Sequence, residues 1–254
     1  MSAPHPIVRT VEGPIIINDV LWAVLSVDIM RTFMMGGGLG VQGGHEIVLP
    51  GLRMIRKFSR EFRYALMDIH APGSVSIVTS FVGYEAFYKL TYDEVKGWTP
   101  KKNRIAAHAR FTLRELKRYL RKVGFQILWP EHAMEGTDEA RVEPEILNES
   151  TLPWFKGNRP HSDSNSGFEE NDGHDIGLGA QLWCRGIRKI VVWGIAGDVC
   201  AGLTALHGAK RGFEVYFVTD LSPCISPEGR DAMYQRLIDA GVHLITSDQI
   251  QQAA

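Results

Sequence analysis

The chain has 254 residues, 44% of them hydrophobic, and its 28 Lys and Arg nearly balance its 29 Asp and Glu. This length fits one α/β domain with a sizeable core, and the balanced charge argues against a nucleic-acid-binding surface. No apolar run approaches the roughly 20 residues of a membrane-spanning helix, so we expect no membrane span. The N-terminus has no basic segment followed by a long apolar stretch, so we expect no secretory signal. We expect a single domain over residues 1–254.

Short apolar runs rich in β-branched and aromatic residues alternate with helical patterns. Near-continuous hydrophobicity in the runs Leu21–Asp28 and Lys189–Gly194 indicates strands covered on both faces, as in a parallel sheet. The alternation predicts an α/β fold with a doubly wound, mostly parallel sheet and helices on both faces. In chain order, the predicted elements are strand Leu21–Asp28, helix Glu46–Phe62, strand Tyr64–His70, helix Gly177–Cys184, strand Lys189–Gly194, helix Val199–Arg211, strand Glu214–Asp220, helix Pro227–Ala240 and strand Val242–Thr246.

Two segments break this rhythm. Residues 81–126 are aromatic and basic and then helical, which we interpret as an insertion on the ligand-facing rim of the domain; a wholly structural role fits as well. The glycine-rich stretch 36–44 lacks both the Lys-Ser/Thr of a P-loop and the GxGxxG spacing, so a lid-like loop is favoured over a phosphate cradle.

Cys200 is a candidate nucleophile because it follows a buried strand and begins a helix. Unpaired N–H groups and the positive end of the helix dipole stabilise a thiolate there, and the same turn offers N–H donors for an oxyanion. A buried core cysteine is the alternative. Cys184 and Cys224 have no such setting, and three cysteines without paired spacing suit a reducing, cytoplasmic compartment.

A nucleophilic thiol needs a proton acceptor and a charge partner. Asp28 ends the first predicted strand and Lys156 ends a short extended segment, STLPWFKG. Each residue alone could be a turn former or a surface charge. Because carboxyl ends of parallel strands meet at one sheet edge, we expect Asp28 and Lys156 to converge with Cys200.

A second cluster resembles a metal site. Asp68 and His70 are two residues apart at a strand end, so their side chains point to the same face, and His132 follows a further strand-like run, FQILWPEH. One carboxylate and two imidazoles suit a first-row divalent ion. Ser74 and Ser76 are candidates for added oxygen contacts, directly or through water.

Five ordered motifs resemble the nicotinamidase (pyrazinamidase) branch of the isochorismatase-like cysteine hydrolases: VDIMRTFMMGGGLGV, DIHAPGSVS, WPEHAMEGT, FKG followed by DSNSGF, and GIAGDVCAGLTA. The resemblance implies an isochorismatase-like fold and an amidase that converts nicotinamide and pyrazinamide to the acid and ammonia through a cysteine thioester, with a place in NAD salvage. It also implies one divalent transition metal ion (Zn, Fe or Mn). A homo-oligomer is compatible with this assignment.

The resemblance also implies a role for each matching residue. The catalytic triad is Asp28, Lys156 and Cys200; the oxyanion donors are the N–H groups of Ala196 and Cys200; Asp68, His70 and His132, with Ser76, hold the metal; and Phe33 and Trp129 sandwich the substrate ring. A non-proline cis peptide is implied at Ile195–Ala196, in a turn that Asp198 helps to hold.

Asn165 departs from this pattern because the family carries tyrosine there, which makes one wall of the substrate pocket polar. Ala133 likewise replaces a cysteine. These departures leave a related amidase, acting on a maleamate-, biuret- or carbamoyl-type amide, as the alternative function. A binding module without chemistry is a third possibility, which the complete Asp/Lys/Cys set disfavours.

Overall fold

A computed structural model describes residue 11 and residues 13–18, 21–150 and 152–253. The strands are β1 Ile15–Ile17, β2 Trp22–Val27, β3 Arg63–Asp68, β4 Tyr88–Thr91, β5 Phe125–Leu128, β6 Leu152–Lys156, β7 Lys189–Gly194, β8 Glu214–Val218, β9 His243–Ile245 and β10 Ile250–Gln252. The α-helices are α1 Val48–Ile55, α2 Tyr92–Val95, α3 Leu113–Val123, α4 Pro144–Glu149, α5 Leu178–Cys184, α6 Cys200–Lys210 and α7 Pro227–Asp239.

A six-stranded parallel sheet forms the centre of the fold, in the order β6-β3-β2-β7-β8-β9. Strand β2 lies between β3 and β7, so the strand order reverses there, and ligands bind beyond the carboxyl ends of strands at such a point. The predicted doubly wound, mostly parallel sheet is confirmed.

Two apolar clusters cover the faces of this sheet, as predicted. One contains buried residues of α1 and α4, such as Leu52 and Ile146. The other contains buried residues of α5, α6 and α7, such as Leu182, Ala205 and Leu237. None of the helices in the described part of the chain has the length and apolar composition of a membrane span.

The helix predicted at Glu46–Phe62 is shorter than expected. It ends at Ile55, and a separate 3-10 turn covers Arg60–Phe62. The reason is Arg63, whose guanidinium donates to the carbonyls of Phe58 at 2.7 Å and Arg56 at 3.3 Å. The carbonyls of Arg56 and Phe58 therefore accept from the Arg63 side chain instead of from backbone N–H groups of a longer helix.

The aromatic and basic segment forms a rim module around a third apolar cluster. Strands β4 and β5 pair antiparallel, and α3 packs beside them through Leu116 and Leu120. A capping box between Thr112 and Glu115 begins α3, and Gly124 ends it. That residues 81–126 are an insertion stays a prediction, as do the single-domain boundaries. Residues 1–10, on which the expectation of no secretory signal depends in part, lie outside the described residues.

Candidate active site

Four charged or nucleophilic side chains meet at the carboxyl edge of the sheet. Asp28 directly follows β2, Asp68 ends β3, Lys156 ends β6, and Cys200 begins α6 beyond the end of β7. These four strands are neighbours in the sheet, so parallel pairing brings their ends together. The structure thus brings Asp28, Lys156 and Cys200 together, as the sequence pattern predicts, and places Asp68 of the predicted metal cluster beside them.

The Lys156 ammonium lies at the centre of this group. Its Nζ is 2.9 Å from Asp28 Oδ2, 3.1 Å from Asp68 Oδ1 and 3.6 Å from Cys200 Sγ. It also donates to the carbonyl of Ser164 at 3.1 Å. Lys156 is 1% exposed and Asp28 is fully buried. One buried cation therefore compensates two buried carboxylates, and its removal would leave both without this partner.

Burial and charge act in opposite directions on these groups. Burial raises the pKa of Asp28 to about 6, although the charge of Lys156 lowers it. For Asp68, burial acts to raise the pKa, but the charges of His70 and Lys156, together with hydrogen bonds to His132 and His70, hold it well below its usual range. Asp28 is therefore ionised at neutral pH, yet accepts a proton more readily than an exposed aspartate.

Burial also raises the pKa of Cys200, and the charge of Lys156 only partly offsets this effect. The expected thiolate stabilisation at a helix N-terminus is therefore outweighed by desolvation of the sulfur. A protonated thiol needs a base, and Asp28 interacts with this thiol.

Asp68, His70 and His132 form a buried cluster whose candidate ligand atoms all lie within 4.8 Å of one another. His70 Nε2 is 3.0 Å and His132 Nε2 is 3.6 Å from Asp68 Oδ2. His132 Nδ1 contacts the carbonyl of Pro130 at 2.8 Å, which orients the ring with Nε2 toward the cluster. This donor set fits a divalent transition metal ion.

Gly157 lies where the charged group around Lys156 and the candidate metal cluster meet. It follows Lys156 with φ +73°, and a Cβ there would lie 2.5 Å from Asp68 Oδ1 and 3.2 Å from His70 Cε1. Only glycine fits both the left-handed backbone and the close approach of these ligands. Lys156 thus supplies the ammonium, and the absence of a side chain at Gly157 leaves room for the Asp68 carboxylate.

The two serines lie near the metal cluster. Ser76 Oγ is 3.4 Å from His70 Nδ1, opposite the ring nitrogen that faces Asp68. Ser74 donates its hydroxyl to the carbonyl of Ala71 at 2.6 Å, which fixes the local loop. A direct metal contact by Ser76 stays a prediction.

A cavity of about 450 Å³, here called the ring cavity, is lined in part by Cys200. Cys200, Asp68, His70 and His132 line it on one side. Its walls include Phe33, Trp129, Asn165, Ile195, Ala196 and Val199. Phe33 and Trp129 flank His132, with ring centroids 5.8 and 6.5 Å away from that imidazole. The cavity therefore offers a flat ligand aromatic contacts beside the metal cluster and the thiol.

Two N–H groups beside Cys200 are available to an oxyanion. The peptide bond Ile195–Ala196 is cis, as the motif resemblance implies. The N–H groups of Ala196 and Cys200 donate to no acceptor among the described residues. Asp198 accepts from the N–H groups of Ile225 at 2.9 Å and of Ser226 at 3.2 Å, and so ties this turn to the loop after β8.

The glycine-rich stretch 36–44 contributes Leu39, Gly40 and Val41 to the ring cavity. Leu39 N–H donates to the carbonyl of Thr32 at 3.0 Å, and Val41 N–H donates to that of Phe33 at 2.9 Å. The stretch is thus a hydrogen-bonded wall of the cavity. Its movement as a lid stays a prediction.

Sequence reasoning missed two residues of this site. Phe87, from the rim module, lines the cavity and packs edge-on against Trp129 at 6.1 Å, although its side chain is 60% exposed. Asp163 is buried and accepts from the Trp129 indole at 3.4 Å. Asp163 is the first residue of the DSNSGF motif, and that position was the sequence signal for its place in the site. Phe87 lies in an irregular segment, which gives no sequence signal of this kind.

Residues 98–249 match the isochorismatase domain family. This chain belongs to that family. It is 28% identical over 235 residues to the nicotinamidase of Acinetobacter baylyi, covering 90% of this chain and 94% of the relative. Among solved structures, the nicotinamidase/pyrazinamidase of Acinetobacter baumanii aligns with a TM-score of 0.74 and 26% identity, over 90% of this chain and 97% of the other.

A solved structure with lower sequence identity to this chain is that of PnC1 from L. infantum in complex with nicotinate. It aligns with a TM-score of 0.70 and 23% identity, over 94% of this chain and 100% of the other. At that identity the likeness concerns the fold alone. The fold that this chain shares with PnC1 therefore covers nearly all of the chain.

Proposed function

We propose that this protein is an amidohydrolase that converts nicotinamide, and also pyrazinamide, to the acid and ammonia through a thioester on Cys200. The observation that carries the proposal is the buried ammonium of Lys156, which contacts both Asp28 and the Cys200 sulfur, while Cys200 itself lines a cavity with aromatic walls. The nicotinamidases to which the chain is similar support the same reaction.

The reaction begins with transfer of the Cys200 proton to Asp28. The thiolate attacks the carboxamide carbon, while the Lys156 ammonium stabilises the charge on sulfur and on Asp28. The N–H groups of Ala196 and Cys200 hold the oxyanion, and one such donor contributes about 3–4 kcal/mol in comparable sites.

Asp28 then returns the proton to the departing nitrogen, and ammonia leaves as the C–N bond breaks. A water molecule, deprotonated by the same carboxylate, attacks the thioester, and the Cys200 sulfur leaves and regains its proton. A base with a pKa of about 6 can accept and return a proton at neutral pH without remaining protonated.

The candidate metal cluster completes this assignment. Asp68, His70 and His132 would hold a divalent ion, which when bound supplies Lewis acidity toward a ring nitrogen of the substrate. Phe33 and Trp129 would hold the flat ring between them, and Asp163 positions the Trp129 indole. These residues thus favour a heteroaromatic amide.

Asn165 favours a second candidate. Its side chain gives the ring cavity a polar wall, which suits a related amidase acting on an open-chain amide of the maleamate, biuret or carbamoyl type. The catalytic steps at Cys200 would be unchanged, because only the binding walls differ.

Ammonia release from a panel of small amides, measured with and without a chelator, tests the proposal. We expect nicotinamide and pyrazinamide to release ammonia fastest, and the chelator to slow both. Absence of nicotinamide cleavage together with rapid cleavage of an aliphatic carboxamide would transfer the assignment to the second candidate.

The cysteines support a reducing compartment for this activity. Cys184 is exposed, Cys224 is half-buried and Cys200 is buried, and all three are free thiols. We therefore place the enzyme in the cytoplasm.

A further inference from the structure

A second cavity, here called the side cavity, adjoins the ring cavity and also has a volume of about 450 Å³. Its lining includes Glu169, Glu170, His207 and Arg236. Ile127, Trp129 and Asn165 line both cavities, so these three side chains form the wall between them. Whatever occupies the ring cavity therefore lies one side chain away from the side cavity.

Asn165 is the polar member of this shared wall. Its backbone N–H donates to Asn171 Oδ1 at 3.1 Å, which fixes the main chain. Its side-chain amide makes no hydrogen bond to any described residue. An amide at a cavity wall without a protein partner can both donate to and accept from a ligand.

The charged residues that line the side cavity differ in whether they have ion-pair partners. Glu169 is paired with Arg211 at 2.8 Å, and Glu170 is paired with Arg159 at 2.9 Å. The Arg236 side chain, in contrast, forms no ion pair or hydrogen bond within the part of the chain that the structure describes. An unpaired guanidinium presents a fork of donors that matches a carboxylate.

The ring cavity alone has a volume in the range that holds drug-sized ligands, well above the need of a single-ring amide. We propose that Asn165 is a specificity-determining residue that opens the ring cavity into the side cavity, so that the enzyme binds pyridine carboxamides bearing a short anionic chain on the ring. The carboxamide lies at Cys200, the chain passes Asn165, and its carboxylate meets Arg236. This inference rests on the proposed function, whose substrate class it extends.

The experiment measures binding by calorimetry to the inactive Cys200→Ala protein, so that it does not depend on turnover. The ligands are nicotinamide, 5-(2-carboxyethyl)nicotinamide and its neutral shape analogue 5-(3-methylbutyl)nicotinamide, with the same pair substituted at ring carbon 6. Asn165→Tyr and Arg236→Gln are each added to the Cys200→Ala background. Tyr adds bulk to the wall that the two cavities share, and Gln removes the guanidinium charge and its fork of donors while it keeps a polar amide.

We expect the acid at one ring position to bind at least as tightly as nicotinamide. Asn165→Tyr should raise the Kd of both extended ligands at least about tenfold more than that of nicotinamide, because a filled wall excludes the chain. Arg236→Gln should raise the Kd of the acid at least about fivefold relative to the neutral analogue, because only the acid loses a charge partner.

Binding of the acid more than about tenfold weaker than nicotinamide at both ring positions would overturn the proposal. The proposal would also be overturned if Asn165→Tyr changed the Kd of the extended ligands and that of nicotinamide by the same factor. It would be overturned likewise if Arg236→Gln left the Kd of the acid unchanged relative to that of the neutral analogue. If Asn165→Tyr fails to fold, the Arg236→Gln comparison decides alone. Failure of nicotinamide to bind, with the acid bound, counts against the proposed substrate and leaves the side cavity assignment standing.

Discussion

Replacement of Lys156 by methionine should lower the free energy of unfolding by about 3–5 kcal/mol at pH 8. Methionine keeps the length of the side chain but removes the ammonium that lies 2.9 Å from Asp28 and 3.1 Å from Asp68. Leaving a buried charge without its partner costs that much in comparable proteins. Asp68 retains His70 at 3.0 Å, so Asp28 carries most of the loss.

The loss should shrink as the pH falls. Burial raises the folded-state pKa of Asp28 to about 6 while Lys156 lowers it, so the variant has a still higher pKa. A carboxyl group with a raised folded-state pKa contributes stability that is fully present below its unfolded pKa and is lost as the pH rises through its folded pKa. Since one pKa unit corresponds to about 1.4 kcal/mol, the deficit of the variant should fall by about 2 kcal/mol between pH 8 and pH 6.

Urea unfolding followed by circular dichroism at both pH values, in the presence of a chelator, measures this effect. Lys189→Met is the matched control, because Lys189 pairs with Glu214 at 3.1 Å but both side chains are over a third exposed. Such a pair contributes at most about 1 kcal/mol. A loss below 1 kcal/mol in Lys156→Met at pH 8, or a loss independent of pH, would show that Lys156 does not compensate a buried Asp28 charge.

Three further predictions concern the metal and the ring. Freshly purified protein should contain about one divalent ion per chain by elemental analysis, with occupancy reduced in His70→Ala and His132→Ala; well under one ion, and no activation by added metal, would remove the site. Gly157→Ala should lower both metal occupancy and stability. Gly124→Ala, at φ +85° with open space around it, should cost only the backbone strain of about 1–3 kcal/mol, and equal effects of the two substitutions would show that the approach to Asp68 is unimportant. Benzamide should have a kcat/KM at least about tenfold below that of nicotinamide, equivalent to about 1.4 kcal/mol, because it lacks the ring nitrogen; equal cleavage in a steady-state assay would contradict metal-to-ring binding.

The sheet and the convergence at its edge could be predicted because both follow from local sequence. Strand β7 has the predicted bounds, and the buried runs before Asp28 and before Cys200 place both residues at carboxyl ends. Parallel pairing then requires these ends to meet. Helix α5 and helix α7 lie within one residue of their predicted bounds, and the structure shows that the Ser226 side chain caps the beginning of α7.

The rest depends on tertiary contacts that no local pattern encodes. The shortening of α1 results from the Arg63 guanidinium, which lies several residues beyond the helix. The raised pKa of Cys200 results from burial, which opposes the local effect of a helix N-terminus. Phe87 reaches the ring cavity because the rim module folds back over Trp129, and nothing in its own sequence context indicates that position.

A Cys200 thioester in nicotinamide deamidation can be tested by comparing nicotinamide turnover in the wild-type protein and in Cys200→Ala. We expect the wild-type protein to release one nicotinate and one ammonia per nicotinamide. We expect Cys200→Ala to lose several orders of magnitude in kcat while it remains folded and metal-loaded, because a covalent nucleophile is lost. Retention of more than about a tenth of the wild-type kcat would contradict the assignment of Cys200 as the nucleophile.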